Sequence, residues 1–404
     1  MRAPAPSVSD WRAVWAIFTA GLAASAYMTK VPPALPGMRA ELGLTLVEGS
    51  LVATMFNLVG GFTGMLAGVI CDRLGYKRVA VGGLLVLALG GVLGALAESF
   101  LALLASRFLE GAGFILCVVS APTLLTAVTA SVRDRVRALG LWGAYMPTGG
   151  TLALLAAPAL VAAWGWRGLW VALAIAAALG ALLFWRAVPT PPAGTAPARS
   201  LRLIGETLRC RGYIAMAALF ALYVAQWTSV LILLPSYLVE RGVTTGAAAI
   251  ATAAMVAANI PGSVGASLLL ARGVRRGPLI VGAAALAALC EAGMLSEALP
   301  GALRFGLVLV FSMAGGVIPG AIFSGLPVHA PSRQHIATGN GMVLQTSQIG
   351  QFLGPLAVAY AATHLGGWDA ALWVMLAFAG ATAACGYAVG AIESRLSPGA
   401  TIAS

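Results

Sequence analysis

Charge is what this chain has least of. Of its 404 residues, 9% are Asp, Glu, Lys or Arg, where water-soluble domains carry about a quarter. A chain so poor in charge and 60% hydrophobic cannot cover a soluble domain with polar surface, so the composition is that of a membrane protein. Acids are scarcer than bases, 13 against 24, and there are three histidines. Cysteine is sparse too. Cys71, Cys117, Cys210, Cys290 and Cys385 show no C-x-x-C spacing and none falls in an expected outer loop, so neither a disulfide nor a metal site is expected. The chain lacks G-x-x-x-x-G-K-[ST] and H-E-x-x-H, which excludes a P-loop nucleotide site and a zincin-type protease site. No cofactor and no enzymatic activity are expected.

What is abundant is long apolar sequence. A bilayer-spanning helix needs about 20 mostly apolar residues. Twelve such stretches can be drawn, at roughly 13–35, 46–70, 79–97, 100–129, 137–163, 167–187, 213–239, 246–270, 277–298, 302–328, 334–363 and 368–391. The first continues past its small residues through Tyr27 and Met28, so it reads as a retained helix rather than a cleaved leader. With the N-terminus in the cytosol, eighteen of the basic residues fall on the cytosolic side and five on the other, and Arg107 lies inside a helix. That split satisfies the positive-inside rule with both termini cytosolic in a cell inner membrane. The net charge of +11 is therefore a topology signal, and no nucleic-acid partner is expected.

The chain divides at "AVPTPPAGTAPARSLRLIGETLRCRG", its long polar interruption. The expected organisation is a six-helix bundle over 1–187, a cytosolic linker over 188–212 and a second six-helix bundle over 213–404. Leu201, Ile204 and Leu208 alternate with Arg199, Arg202 and Arg209, which suits an amphipathic helix on an anionic inner leaflet. The halves echo one another. "NLVG" at Asn57 matches "NIPG" at Asn259, "GYKR" at Gly75 matches "GVRR" at Gly273, and "GWRGLW" at Gly165 matches "GWDAALW" at Gly367. Each pair lies about 200 residues apart in the same order, the pattern of a parallel internal repeat.

Between the second and third stretches the chain reads "GVICDRLGYKRVAVGG". Gly68, Asp72, Arg73, Gly75, Lys77 and Arg78 fit G-x-x-x-D-R-x-G-x-[KR]-[KR], and "LLASRFLEGAG" supplies R-x-x-x-G through Arg107 and Gly111. On these motifs the whole chain resembles the major facilitator superfamily. The resemblance implies an all-α integral membrane protein with twelve transmembrane helices in two six-helix bundles. It also implies that the Asp72 cluster latches the bundles on the cytosolic side. Asp72 has two candidate counterparts, a cation such as Arg133, Arg135 or Arg137, or the positive N-terminal end of the eleventh helix. "GAYMPTGG", 143–150, departs from the family's antiporter motif G-x-x-x-G-P-x-x-G-G, because Pro147 comes one residue late and Met146 stands where the motif has glycine. A kink is still expected there.

Candidate solute-binding groups follow from the cost of polar atoms in hydrocarbon. Arg107 lies about 12 Å into its helix at helical rise, and Glu110 follows at i+3 on the same face. They make either a structural ion pair or a binding site in which Glu110 tunes the charge or carries a proton. Lys30, before Pro32 and Pro33, is expected to snorkel outward; turned inward, it would join Arg107 in a cationic cavity. Tyr223, Gln226 and Trp227 share one face of the seventh helix, and Gln345 and Gln348 one face of the eleventh. These suit a cavity lining or interhelical hydrogen bonds equally. Glu291 reads as interfacial or locally paired, and Asn57 and Asn259 as structural.

The leading functional reading is a secondary transporter moving a small anionic or polar neutral solute by alternating access, acting as a monomer in the lipid bilayer, with proton coupling left open. One alternative is a proton-coupled exporter of a drug-like or siderophore-like compound. A second is a non-transporting receptor or scaffold on the same fold.

Overall fold

The computed structural model describes residues 8–190, 201–332 and 335–395. Among them there is no strand, and the chain forms fourteen helices. Eight are long and apolar enough to cross a membrane, or nine if the bent pair α1 (Trp11–Thr29) and α2 (Val31–Leu42) counts as one span.

Local chemistry starts these helices. Asp10 caps α1 by accepting from the Ala13 amide at 3.1 Å. Thr45 and Glu48 form a capping box at the start of α3 (Leu46–Leu74). Gly75, at φ 87°, turns the chain into α4 (Tyr76–Ala95). Ser99 caps α5 (Phe100–Ala127), and Ser131 caps α6 (Val132–Gly143). α7 (Tyr145–Ala187) runs through both the fifth and the sixth apolar stretches, with a break at Gly165, φ 67°. The expected bend near "GAYMPTGG" falls at Ala144, between α6 and α7. There Gly149 meets the Leu22 backbone and Ser25 donates to the Tyr145 carbonyl at 3.2 Å, so small residues bring α7 against α1.

The remaining helices are α8 (Leu201–Leu208), α9 (Arg211–Glu240), α10 (Thr245–Ala271), α11 (Arg276–Leu295), α12 (Gly301–His329), α13 (His335–His364) and α14 (Trp368–Arg395). Glutamines and other polar side chains along α13 make it less apolar than α9, α10, α11, α12 and α14, which are long and apolar enough to cross a membrane. α8 forms where an amphipathic linker helix is expected, but it packs on α13, with Glu206 bonded to His335 Nε2 at 3.2 Å.

The chain separates into two compact units, residues 1–198 with 235–250, and residues 199–234 with 251–404. In the first, α4 packs on α5 and α7, α1 on α7, and α3 on α5, around Ile17, Phe56, Leu84, Phe114 and Phe184. In the second, α11 packs on both α12 and α14, and the core gathers Tyr213, Phe220, Ile280, Ile318 and Ile322.

The internal repeat is visible in the backbone. Gly75 and its counterpart Gly273 have φ 87° and 86°, and Gly165 and Gly367 have 67° and 78°. A close helix crossing repeats as well. Gly111 of α5 lies against the Phe56 carbonyl of α3, as Gly316 of α12 lies against the Asn259 carbonyl of α10, with no space for a side chain at either glycine.

Candidate functional site

Arg107 and Glu110 meet as their spacing on α5 predicts, with Arg107 Nη1 on Glu110 Oε2. The structure brings Lys30 to the same carboxylate, Nζ to Oε1 at 2.6 Å, and all three side chains are fully buried in the first unit. Lys30 does not snorkel. The helical sequence "VPPALPGMRAEL" continues as α2 for another twelve residues, so Lys30 sits at the 41° break between two helices and not at an outer end.

Each charge is further satisfied. Arg107 donates from Nε to the Val52 carbonyl at 3.1 Å, from Nη1 to the Tyr27 carbonyl at 3.0 Å and from Nη2 to the Ala53 carbonyl at 3.4 Å. Its guanidinium lies over the Phe56 ring at 4.8 Å. Lys30 Nζ is held over the rings of Tyr27, at 4.3 Å, and Trp170, at 4.1 Å. Two basic side chains thus share one carboxylate, and backbone carbonyl oxygens and π faces complete their surroundings.

Tyr27 and Trp170 are the residues that sequence reasoning missed. The signal for Trp170 was "GWRGLW", read above only as a mark of the repeat. Gly165 breaks α7, and Arg167 Nη1 binds Glu41 of α2. Trp166 Nε1 donates to the same carboxylate at 2.6 Å. The motif thus pins α2 and presents Trp170 to Lys30. Glycines on α4 make room for the cluster, since Gly90 faces Glu110, Gly91 faces the Tyr27 hydroxyl and Gly94 faces the Trp170 ring.

The other candidates lie in the second unit. Asn259 Nδ2 donates to the Tyr223 hydroxyl and to the Ser312 carbonyl, both at 3.0 Å, and Trp227 Nε1 donates to Ser312 Oγ at 3.0 Å. Gln226 is buried one turn along α9 from Tyr223. Gln345 and Gln348 are half-buried, and Gln348 Oε1 accepts from Gln351 at 3.2 Å. Glu291 is not interfacial. It is fully buried, because α12 and α14 both pack on its helix.

Of the latch motif, Gly68 and the Asp72 side chain lie outside the described residues. Arg73 and Arg78 are exposed, and Lys77 Nζ lies over the Trp185 ring at 4.8 Å. Arg276, the repeat counterpart of Arg78, is bound within its own unit to Glu393, which also meets His329 Nε2 at 3.0 Å.

The long apolar helices define a helical, multi-pass membrane protein, with an ion cluster buried inside its first unit. The chain belongs to the Major Facilitator Superfamily, whose model matches residues 14–355. Over 249 residues it is 30% identical to the puromycin resistance protein pur8 of Streptomyces alboniger, covering 59% of this chain and 49% of that protein. Over 173 residues it is 30% identical to the methylenomycin A resistance protein of Streptomyces coelicolor, covering 43% of this chain and 36% of that one. The chain thus spans about half or less of the length of the curated relatives it matches. The crystal structure of a bacterial homolog to the human lysosomal transporter Spinster, inward-facing and unoccupied, shares the fold. Its TM-score is 0.81 at 19% identity, covering 96% of this chain and 98% of that one.

Proposed function

We propose that this protein is a proton-coupled exporter of small amphiphilic, drug-like compounds that works by alternating access, with both termini in the cytosol. One observation carries the choice over an organic-anion carrier. Lys30 and Arg107, the cations on which an anionic substrate would depend, are spent on Glu110 and on backbone carbonyls in a fully buried cluster. A carboxylate solute would have to displace Glu110 from both, at the cost of leaving that carboxylate unpaired. The likeness to proteins named for puromycin and methylenomycin A resistance supports the same direction. In this reading the cluster is a fixed polar brace of the first bundle. Trp227, half-buried beside the buried Tyr223, supplies aromatic surface without charge, which suits an amphiphilic solute.

Expression in a drug-hypersensitive bacterium tests this. The intact chain should raise the inhibitory concentration of puromycin or of other amphiphilic antibiotics, and Trp227→Ala should lose that protection while the protein still reaches the membrane. No protection across a broad amphiphile panel, together with improved growth on small carboxylates, would reverse the choice in favour of anion uptake.

A further inference from the structure

The second unit holds a carboxyl group that the Lys30 cluster does not explain. Glu291 lies near the C-terminal end of α11 with 0% exposure, and neither of its oxygens makes a well-formed hydrogen bond among the described residues. The Gln226 side chain of α9 lies alongside, close enough to act on the carboxyl, and its Nε2 likewise has no bonded acceptor. Three orphan polar atoms, one acid and one amide, therefore face each other in an apolar interior.

No cation comes to meet this acid among the described residues. On α11 itself, Arg276 is fifteen residues away, about 22 Å at helical rise, and is bound to Glu393. His329 of α12 and Glu393 of α14 belong to that same distant cluster. Arg304 lies in the first turn of α12, half-buried, while Asp369 and Arg395 lie at the two ends of α14, exposed. On α9, Arg211 and Glu240 stand at the helix ends. None of these forms an ion pair with Glu291.

An ionised carboxylate buried without a counter-ion is among the costliest arrangements in a protein interior, and the neutral acid removes most of that cost. A neutral acid also matches its neighbour, because its hydroxyl can donate to the Gln226 carbonyl oxygen and its own carbonyl oxygen can accept from the Gln226 amide. We propose that Glu291 is a reversible proton-binding site of the second unit, occupied in the conformation described here and emptied when helix movement admits water. Gln226, at i+3 from Tyr223, ties the acid to the helix that also carries Trp227, the residue proposed to meet the solute. The proposal supplies a proton site to the proton-coupled reading above and rests on that reading for its role in transport; proton binding itself is measured without any solute.

Infrared spectroscopy of the full chain in lipid bilayers gives the measurement. The difference spectrum of wild type minus Glu291→Gln should show the C=O stretch of a protonated carboxyl at neutral pH, and that band should give way to carboxylate bands as the buffer is made alkaline. Glu291→Gln, nearly isosteric with the neutral acid, should melt within a degree or two of wild type, and Glu291→Asp should keep a titrating band. A carboxylate signal already present at neutral pH, or an acid band that never titrates, would overturn the proposal. If the band titrates but Glu291→Gln exports an amphiphile with an unchanged dependence on the proton gradient, the site binds a proton without coupling it, and the transport part of the proposal fails. If no solute is exported by any form, the export reading falls while the titration still decides the proton site.

Discussion

At the scale of single residues, the arithmetic of the Lys30 cluster makes an ordering that can be measured. Glu110 neutralises one of two buried cations and bonds both. Glu110→Gln would leave both unpaired, so it should cost about 3–5 kcal/mol, read as a large drop in melting temperature in detergent or as loss of folded protein. Lys30→Met removes one of the two basic groups and leaves Arg107 with Glu110, so it should cost clearly less. The reverse order would mean that Glu110 does not bind both cations in the folded protein. A second residue acts outside the membrane. The Ser9 hydroxyl, with a smaller effect from Ser131, holds the Asp134 carboxyl below its ordinary value of 3.8. A lowered folded value means that the ionised form is the one stabilised. The contribution is therefore fully present above the ordinary carboxylate range and is lost as pH falls through the folded value. It ties Ser9 to the loop before α6, where the Asp10 amide donates to the Val128 carbonyl at 2.9 Å. The protection of the Asp10 amide relative to its intrinsic exchange rate should fall in acid in wild type and be low at every pH in Asp134→Asn; equal protection in the two proteins would contradict the role.

At the scale of elements, the helix crossings depend on glycine. Gly111→Leu and its repeat partner Gly316→Leu each drive a side chain into a facing backbone carbonyl, which cannot move aside as a side chain could. Each should cost more than the roughly 1–3 kcal/mol of ordinary overpacking and abolish folded protein in size-exclusion profiles. Gly82, with open space around it inside α4, is the control, and Gly82→Ala should be neutral or gain up to about 1 kcal/mol. These elements were legible in the sequence to the extent that their cause is local. The repeated glycines at 75, 273, 165 and 367 are backbone requirements, and a positive φ leaves its mark in residue type. The i, i+3 pair Arg107–Glu110 is likewise dictated by helix periodicity. Lys30 was misread because a second helix opens on Pro32 and Pro33 and the carboxylate that Lys30 meets comes from α5, 80 residues away in sequence. Tyr27 and Trp170 joined the cluster, and Glu291 proved buried, through packing between distant helices, which no spacing within one helix reveals.

At the scale of the whole molecule, the two buried basic side chains of the first unit already share an internal carboxylate, Glu110, which supports the proposal that the protein moves amphiphiles and not organic anions. Family membership and likeness of fold set no direction, so flux must decide. The most direct measurement is solute accumulation by inside-out membrane vesicles energised with a proton gradient, offered labelled puromycin and a labelled small carboxylate side by side. The account predicts accumulation of the amphiphile that collapses with the gradient, and no accumulation of the carboxylate. Carboxylate transport that survives with the amphiphile excluded, and that is abolished by Arg107→Ala in a protein that still folds, would contradict it.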